Sequence, residues 1–262
     1  MNLNNINCVV TGASSGIGRE LSLILAAKGC TVVAIARDEA RLDNLASEVK
    51  DLKGTILPVS FDLQNESNFS QLRMLIESKV KVVDLLVNNA ALGHYSEFST
   101  QKTEEILRVI KTTLIAPILV TSVCLPLMRN QSSAVAFISS LAGKMGFPNL
   151  STYSAAKHGI EGFVDSLMQE NNNRIFVFRP GVTETNFFKN SGMEDFEKEA
   201  KEKDSMKSAH EVAQELVAAL EKDNYEHTVG NDKFLLPLLP MVPRPMRFQI
   251  LNFLNRLTKV FN

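Results

Sequence analysis

Three side chains near the middle of the chain have the types and the spacing needed for proton transfer. Tyr153 and Lys157 are i and i+4 in a segment with a helical pattern, so their side chains share one face of the predicted helix. A free tyrosine has a pKa of about 10, and a neighbouring ammonium favours the phenolate and lowers that value. Ser140 follows a predicted strand, and its hydroxyl can stabilise an oxygen on which charge develops. Together these residues predict general acid–base chemistry.

A glycine-rich turn near the N-terminus predicts a binding site for phosphate groups. Gly12, Gly16 and Gly18 lie in the segment TGASSGIG, between the first predicted strand and the first predicted helix. Glycine is needed where a side chain would block a tight turn or the approach of a phosphate. The N–H groups and the positive dipole at the start of the helix favour an anion there. Because the turn opens a strand–helix–strand unit, the pattern indicates a dinucleotide.

These residues lie at the ends of short apolar runs that alternate with helical patterns. The predicted strands are Asn7–Val10, Thr31–Ala36, Thr55–Ser60, Val82–Val87, Ala134–Ile138 and Arg174–Phe178. The predicted helices are Gly16–Lys28, Glu39–Asp51, Glu66–Lys79, Thr103–Met128, Thr152–Glu170 and Ala209–Glu221. Several strands are continuously apolar, which is typical of a parallel sheet covered on both faces. The pattern predicts a Rossmann-like, doubly wound parallel sheet in three α/β/α layers, forming a single domain over residues 1–262.

The segment TGASSGIG resembles the cofactor-binding motif of the short-chain dehydrogenase/reductase family. The resemblance continues in order from about Asn7 to about Thr185. Its further motifs are Asp62 after the third strand, Asn88–Ala91 (NNAA) after the fourth, Ser140 with Tyr153 and Lys157 after the fifth, and Pro180–Thr185 (PGVTET) after the sixth. Each motif is short, but the whole set in this order is hard to obtain by chance. Taken singly, Asn88 or Ala90 is also explained as a turn residue.

The resemblance implies an oxidoreductase that transfers a hydride between a nicotinamide cofactor and a carbonyl compound or secondary alcohol. It assigns Tyr153 as the general acid/base, Ser140 as the hydrogen-bond partner of the substrate oxygen, and Lys157 as the contact to the nicotinamide ribose. The residues predicted to bind the cofactor are Gly12, Ser14, Ser15, Gly16, Ile17, Gly18, Arg37, Asp62, Leu63, Asn89, Ala90, Tyr153, Lys157, Pro180, Gly181, Val182 and Thr185.

The end of the second strand predicts which dinucleotide is bound. An acidic residue there would accept hydrogen bonds from the ribose 2′-hydroxyl of NAD, whereas an arginine would pair with a 2′-phosphate. The strand ends at Ala36 without an acid and is followed by Arg37, and Ser14 or Ser15 can donate hydroxyl groups. This favours NADP(H) over NAD(H). Asp38 is the counter-argument, and Arg37 can also be an ordinary surface residue.

One position departs from the family's pattern. The family usually has an asparagine in the fourth helix, where it supports a water-linked proton path to the lysine. The aligned residue here is Thr113, and the helix predicted over Thr103–Met128 contains no asparagine. We include Thr113 among the catalytic residues because its hydroxyl can hold a water. The alternative is an NADP(H)-binding sensor or scaffold with little catalytic activity, and turnover of NADPH distinguishes the two.

Composition excludes several classes of protein. The formal net charge of −1 provides no field that would recruit nucleic acid or acidic lipid. The three cysteines are scattered and the four histidines lack ligand spacing, so we expect no metal site. The N-terminus lacks the pattern of a signal peptide and no unbroken run of apolar residues is long enough to span a bilayer. We expect a cytoplasmic protein, and the resemblance implies a homodimer or homotetramer.

Two segments fall outside the alternating pattern. Residues 186–208 are rich in charge and predict a solvated helix, a lid over the substrate, or both. The tail, residues 234–262, is apolar and punctuated by proline; packing on the body or on another subunit is preferred, with membrane-surface contact as the alternative. Residues near the expected site favour an apolar substrate, although each can equally be local packing: His94, Tyr95, Met145, Phe147, Phe187 and Phe188.

Overall fold

The structure is a computed structural model that describes residues 1–202, 206–228 and 246. Its strands are β1 (Asn7–Thr11), β2 (Thr31–Ala36), β3 (Thr55–Ser60), β4 (Leu85–Asn88), β5 (Ala134–Ile138), β6 (Arg174–Arg179), β7 (Thr183–Glu184), β8 (Lys207–Ser208) and β9 (Glu226–Thr228). One parallel sheet has the strand order β3-β2-β1-β4-β5-β6-β9. A separate pair joins β7 to β8. The predicted doubly wound parallel sheet is confirmed.

Helices cover both faces of this sheet. They are α1 (Gly16–Ala27), α2 (Glu39–Glu48), α3 (Phe69–Lys79), α4 (Thr103–Ile110), α5 (Ala116–Cys124), α6 (Ser151–Glu170), α7 (Phe187–Asn190), α8 (Glu194–Glu202) and α9 (Ala209–Glu221). A π-helical turn, Lys111–Ile115, connects α4 to α5. Helices α1, α2 and α9 pack on one face and α3, α5 and α6 on the other. The three-layer architecture is therefore as predicted.

Strand β2 shows why several strands are continuously apolar and do not alternate between apolar and polar residues. Val32 and Ala34 are buried against α1, α2 and α9, whereas Val33 and Ile35 are buried against α3, α5 and α6. Burial of one such aliphatic side chain contributes about 1.5–3 kcal/mol. Both faces of the strand thus hold the sheet between its two helical layers. The chain extends the sheet from β1 in two directions, through β2 on one side and through β4 on the other. This change of direction opens a crevice at the carboxyl ends of these strands.

Several boundaries differ from the predictions. Strand β4 begins at Leu85 instead of Val82, and the preceding Asp84 carboxylate accepts a hydrogen bond from the N–H of Asn7 (2.9 Å). Helix α2 ends at Glu48, and α3 begins at Phe69 after a 3₁₀ turn. Strand β9 was missed because it is three residues long, polar and only half-buried.

The segment predicted as one helix over Thr103–Met128 is interrupted by the π-helical turn. Pro117 lacks the N–H that would bond to the carbonyl of Thr113, and its ring would clash with that carbonyl in a regular helix. A wider turn at Lys111–Ile115 relieves this conflict.

Within the described residues, Thr103–Leu127 is the one helical stretch whose length and hydropathy suffice to cross a membrane. The stretch contains no unbroken apolar run of that length, because charged and polar residues interrupt it, among them Arg108, Lys111 and Thr112. Val109, Ala116 and Val120 are fully buried in this protein, as in the core helix of a globular fold. The tail, residues 234–262, lies outside the described residues apart from Met246.

Candidate active site

A cavity of about 1120 Å³ lies along the carboxyl edge of the sheet and contains most of the predicted site. The predicted residues that line it are Gly12, Ser14, Ser15, Gly16, Ile17, Arg37, Asp62, Leu63, Asn89, Ala90, Ser140, Tyr153, Lys157, Pro180, Gly181, Val182 and Thr185. Gly18 and Thr113 are the predicted residues outside this lining. The motifs, which are far apart in the sequence, therefore converge on one cavity.

The turn after β1 needs its glycines for two reasons. Gly12 and Gly16 have φ angles of +65° and +54°, which are strained for any residue with a Cβ. A Cβ at Gly18 would lie 2.5 Å from the carbonyl oxygen of Gly12, so Gly18 permits close packing of α1 on the turn. Ser15 is the N-cap of α1, but its side chain makes no capping hydrogen bond. No side chain among the described residues accepts from the first N–H groups of α1, which therefore suit an anion.

The side chains of Asn89 and Thr11 join the ends of β1 and β4. The Asn89 Nδ2 donates to the carbonyl oxygens of Thr11 (3.0 Å) and Gly12 (3.3 Å). In return, the Thr11 Oγ1 accepts from the N–H groups of Asn89 (3.0 Å) and Ala90 (3.1 Å). These bonds hold the loop after β4 against the glycine turn, so Asn89 acts on the cavity through the backbone it fixes.

Arg37 and Asp38 follow the carboxyl end of β2 and have different surroundings. The Asp38 carboxylate caps α2 by accepting from the Arg41 N–H (3.0 Å) and pairs with the Arg41 Nε (3.2 Å). The Arg37 guanidinium is exposed and has no carboxylate partner in the part of the chain that the structure describes. Arg37, Asp38 and Arg41 all line the cavity. Asp38, the residue that favours NAD(H), is thus paired with Arg41, whereas the adjacent Arg37 has no carboxylate partner among the described residues.

Tyr153 lies in the first turn of α6 with its hydroxyl hydrogen-bonded to Ser140. Its side chain is almost entirely buried, and burial raises the pKa of Tyr153 to about 12, against the opposing effect of the Ser140 hydrogen bond. The lowering expected from the neighbouring ammonium is therefore wrong for this structure, because burial has the larger effect. The Ser140 Oγ also accepts a hydrogen bond from the N–H of Ala142 (3.2 Å). The turn after β5 thus holds Ser140 beside Tyr153, which is protonated near neutral pH.

Lys157 follows Tyr153 by one turn of α6 on the same face, as predicted. Its Nζ lies 5.7 Å from the centre of the Tyr153 ring and donates to the carbonyl oxygen of Ile138 (2.6 Å). Burial lowers the pKa of Lys157 to about 8, and the carboxylate of Glu161 opposes this effect. At neutral pH the ammonium is retained next to Tyr153.

Thr113 has a different environment from the one expected. It lies in the π-helical turn, where its Oγ1 accepts from the N–H of Leu92 (2.9 Å) and donates to the carbonyl oxygen of Leu92 (2.9 Å). The hydroxyl is thus occupied by the loop after β4. The neighbouring Thr112 lines the cavity instead, and its buried Oγ1 has no hydrogen-bond partner among the described residues. The catalytic role of Thr113 remains a prediction.

The loop after β6 closes the cavity over the glycine turn. The Thr183 Oγ1 donates to the carbonyl oxygen of Gly181 (3.0 Å), and the Thr185 Oγ1 accepts from the N–H of Phe187 (3.2 Å). A Cβ at Gly16 would lie 2.9 Å from the Cγ2 of Thr185. The start of α1 and the PGVTET motif therefore pack directly against each other.

The segment predicted as a lid forms one wall of the cavity. Helices α7 and α8 lie within residues 186–208, of which 203–205 are outside the described residues. Aromatic and other apolar residues line this end of the cavity: Leu92, Tyr95, Phe147, Leu150, Phe187, Phe188, Met193 and Phe196. The rings of Phe187 and Tyr153 are 5.2 Å apart. His94 and Met145, which were also expected here, lie outside the lining, and His94 pairs with Glu105 (3.2 Å).

Comparison with known proteins decides the family. The profile described as short chain dehydrogenase matches residues 7–195. The chain belongs to the short chain dehydrogenase family. It is 34% identical over 232 residues to the dehydrogenase/reductase SDR family member 7B of Mus musculus, covering 84% of this chain and 72% of that protein.

Solved structures of short chain dehydrogenases share the fold. One is a short chain dehydrogenase/reductase from Burkholderia phymatum in complex with NAD, with a TM-score of 0.81 and 18% identity over 91% of this chain and 93% of that one. Another is a short-chain dehydrogenase from Sphingobium yanoikuyae in complex with NADPH, with a TM-score of 0.73 and 20% identity over 97% and 95%. The fold thus accommodates either cofactor in these relatives.

Sequence reasoning missed a layer of residues behind the site of this short chain dehydrogenase. Ser139, Glu161 and Arg179 are buried next to the predicted Ser140, Lys157 and Pro180. The signal was present as charged residues inside apolar elements: Arg179 ends the strand RIFVFR, and Glu161 follows Lys157 by one helical turn. Within the part of the chain that is described, no three His, Cys, Asp or Glu side chains are grouped to hold a metal.

Proposed function

We propose that the chain is an NADP(H)-dependent oxidoreductase that acts on an apolar carbonyl compound or secondary alcohol, with Tyr153 as the general acid/base. The observation that carries the proposal is the placement of Ser140, Tyr153 and Lys157 in the cavity that also contains the glycine turn. Proton-transfer groups and a phosphate site in one cavity are what nicotinamide-dependent reduction requires.

The residues present fit a nicotinamide dinucleotide. The uncapped start of α1 suits a pyrophosphate, and Gly12 and Gly16 place no side chain at the two ends of the turn. The cavity volume of about 1120 Å³ is slightly above the roughly 300–1,000 Å³ typical of small-molecule sites, so it has room for an extended ligand. Bound NADPH would supply the hydride. Lys157 would contact its nicotinamide ribose, as the family resemblance implies.

The protonation states of the site favour reduction. A tyrosine with a pKa of about 12 is protonated near neutral pH, so Tyr153 is ready to donate its proton to an alkoxide formed from a carbonyl. The Ser140 hydroxyl stabilises charge on the same oxygen. The Lys157 ammonium stabilises the phenolate that remains on Tyr153. Oxidation of an alcohol would instead require Tyr153 to lose its proton first.

Arg37 supports NADP(H) over NAD(H). Its guanidinium lies at the end of β2 without a carboxylate partner in the described residues, while Asp38 is engaged by Arg41. Charge-assisted hydrogen bonds are worth about 1.5–3 kcal/mol, so we expect Arg37→Ala to weaken NADPH binding about 10- to 100-fold. NADH binding should change less than about threefold, since NADH has no 2′-phosphate. Equal weakening of both cofactors would contradict the role of Arg37.

The aromatic wall formed with α7 and α8 supports an apolar substrate. The name of the mouse relative, a dehydrogenase/reductase, leaves both the substrate and the direction of its reaction open. Three expectations stay predictions: a homodimer or homotetramer, a cytoplasmic location, and a lid at residues 186–208. Light scattering of the purified protein would measure its oligomeric state.

The decisive experiment measures loss of NADPH absorbance with a panel of apolar ketones and aldehydes. We expect turnover by the wild-type protein and a loss of at least about 100-fold in Tyr153→Phe, because general acid catalysis contributes roughly 10²–10⁴-fold. NADPH binding should be retained in this variant. Tyr225→Phe is the matched control, since Tyr225 is 46% exposed and stacks on Phe176 away from the cavity lining. Tight NADPH binding with no turnover across the panel would instead favour the sensor or scaffold.

A further inference from the structure

A buried carboxylate lies directly behind the proposed active site. Glu161 is one helical turn beyond Lys157 on α6, and only 5% of it is exposed. Its Oε1 accepts from the Ser139 hydroxyl (2.6 Å) and from the Arg179 Nε (2.9 Å). Its Oε2 accepts from the Arg179 Nη2 (2.5 Å) and lies 3.0 Å from the Lys144 Nζ. All four acceptor positions of the carboxylate are therefore used.

Three of these contacts join helix α6 to the ends of two strands, and the fourth reaches Lys144 in the loop after β5. Ser139 directly follows β5 and precedes Ser140, and Arg179 ends β6 and is followed by Pro180. Helix α6 carries Glu161 itself. Ser140 and Pro180 are thus each adjacent in the sequence to a group bonded to Glu161, and Lys157 lies one helical turn from Glu161 itself.

The surroundings of Glu161 are closely packed. Arg179 is 4% exposed, and its Nη1 pairs with the Glu226 carboxylate on β9 (3.1 Å). The backbone of Gly143 passes so close that a Cβ there would lie 2.7 Å from the Ser139 Oγ and 3.0 Å from the Glu161 Cγ. A fork-shaped guanidinium on a buried carboxylate is a rigid, directional pair.

We propose that Glu161 is a positioning residue, which holds Ser140 and the Pro180–Gly181 turn in register with Tyr153 and Lys157 through its bonds to Ser139 and Arg179. This inference rests on the proposed function, which gives Ser140, Tyr153 and Lys157 their catalytic roles. A displacement of about 1 Å at such a site costs up to roughly 100-fold in rate, so the bonds matter for catalysis as well as for folding.

The charge of Glu161 also acts on Lys157. Burial lowers the pKa of Lys157, and Glu161 raises it. The other charged groups here face Glu161: Arg179 from β6, Lys144 from the loop after β5, and, through Arg179, Glu226 from β9. Burial alone would raise the pKa of Glu161, but Arg179 and Ser139 outweigh that effect and lower it, so Glu161 stays ionised at neutral pH. Its negative charge helps Lys157 to remain an ammonium.

The test uses Glu161→Gln, which keeps the shape and removes the charge, and Glu161→Asp, which keeps the charge. For Glu161→Gln we expect kcat for carbonyl reduction to fall about 10- to 100-fold, with the substrate KM changed less than about threefold. The alkaline limb of the pH profile should move to lower pH, since Lys157 loses the charge that raises its pKa. Glu161→Asp should keep that limb in place. Wild-type kcat and an unmoved limb in Glu161→Gln would overturn the proposal.

A second variant separates positioning from stability. Replacing a buried ion pair with apolar residues of similar volume is often neutral or stabilising, whereas removing one partner is strongly destabilising. Glu161→Met combined with Arg179→Met should therefore fold even where Glu161→Gln does not, and should still have reduced kcat. A double variant with wild-type kcat would show that the pair serves the fold alone.

The proposed function can fail independently of the role of Glu161. A wild-type protein that reduces no carbonyl would remove the proposed function, whatever Glu161 does. The ionisation of Lys157 can then be followed without cofactor, by NMR of protein with ¹³C-labelled lysine and Lys157→Arg for assignment. A lower Lys157 pKa in Glu161→Gln than in the wild type supports the coupling, and an unchanged pKa overturns it.

Discussion

The Nζ of Lys157 donates a 2.6 Å hydrogen bond to the carbonyl oxygen of Ile138, the last residue of β5. This bond fixes the lysine between α6 and the sheet, 5.7 Å from the centre of the Tyr153 ring. The ammonium therefore lies beside the ring whose phenolate it would stabilise. Lys157 has two further donors, and it lines the cavity in which a ribose would lie. One side chain can therefore bind the backbone, stabilise Tyr153 and reach a ligand.

The first prediction concerns pH. Burial lowers the pKa of Lys157 to about 8, so its charge is present below that pH and is lost above it. Tyr153, with a pKa of about 12, keeps its proton over the whole range. We expect kcat/KM for carbonyl reduction to be level near neutral pH and to fall above about pH 8, because Lys157 loses its charge there. Initial rates measured across this range provide the test.

Lys157→Arg is the control for this pH dependence, because a guanidinium stays charged throughout. Its remaining activity should show no fall near pH 8, the value associated with Lys157. A wild-type profile that stays level to about pH 10, near the unperturbed value for lysine, would contradict the assignment.

The second prediction concerns Thr113. Its hydroxyl makes two bonds to the backbone of Leu92, and the residue is 1% exposed. Thr113→Val keeps the shape but leaves the Leu92 N–H and carbonyl unpaired, so we expect a loss of about 1–3 kcal/mol in the free energy of unfolding. Thr113→Ser should lose less than half of that. Urea denaturation measures both.

Thr112→Val is the matched control for Thr113, since the Thr112 Oγ1 has no hydrogen-bond partner among the described residues. We expect it to leave the unfolding free energy unchanged or to raise it slightly. If Thr112→Val were as destabilising as Thr113→Val, the assignment of the Leu92 bonds to Thr113 would be wrong.

The contrast between these two threonines shows where sequence reasoning stops. Tyr153 and Lys157 were placed correctly because their relationship is local: four residues on a regular helix fix a shared face. Thr112 and Thr113 lie in a π-helical turn, where the periodicity of 3.6 residues does not hold. Alignment with the family points to Thr113, whereas the structure turns Thr112 towards the cavity.

Glu161 and Arg179 could not be paired from the sequence, for a different reason. They are 18 residues apart and belong to a helix and a strand whose contact depends on β6 pairing with β5. The sheet order that brings them together was expected only in outline. The motifs at strand ends were easier, because the carboxyl ends of parallel strands always meet at one edge.

The third prediction concerns Gly18. A Cβ there would lie 2.5 Å from the Gly12 carbonyl oxygen and against the Asn89 amide, so Gly18→Ala must displace the turn or α1. We expect NADPH affinity to fall at least about tenfold, which corresponds to about 1.4 kcal/mol, and the melting temperature to drop. Fluorescence titration and thermal unfolding measure the two effects.

Gly162→Ala is the control for Gly18, because Gly162 is an exposed position of α6 and a Cβ there would have no neighbouring atom within 4 Å. Alanine is favoured over glycine in a helix by about 0.5–1 kcal/mol, so this variant should be slightly more stable and bind NADPH normally. Equal affinities for NADPH in Gly18→Ala and Gly162→Ala would contradict the close packing of α1 on the turn.

The last prediction concerns Phe187, whose ring centre is 5.2 Å from that of Tyr153. Phe187 forms part of the aromatic wall and packs beside Tyr153. Phe187→Ala removes a contact surface worth about 1.5–3 kcal/mol when fully buried, so we expect KM for an aryl ketone to rise about 10- to 100-fold. NADPH affinity should be unchanged, because the glycine turn and Arg37 are intact.

Phe98→Ala is the matched control for Phe187, because Phe98 is 60% exposed and lies outside the cavity lining. The KM of this variant for the ketone should stay at the wild-type value. A rise in KM shared by both variants would place the substrate elsewhere than against α7.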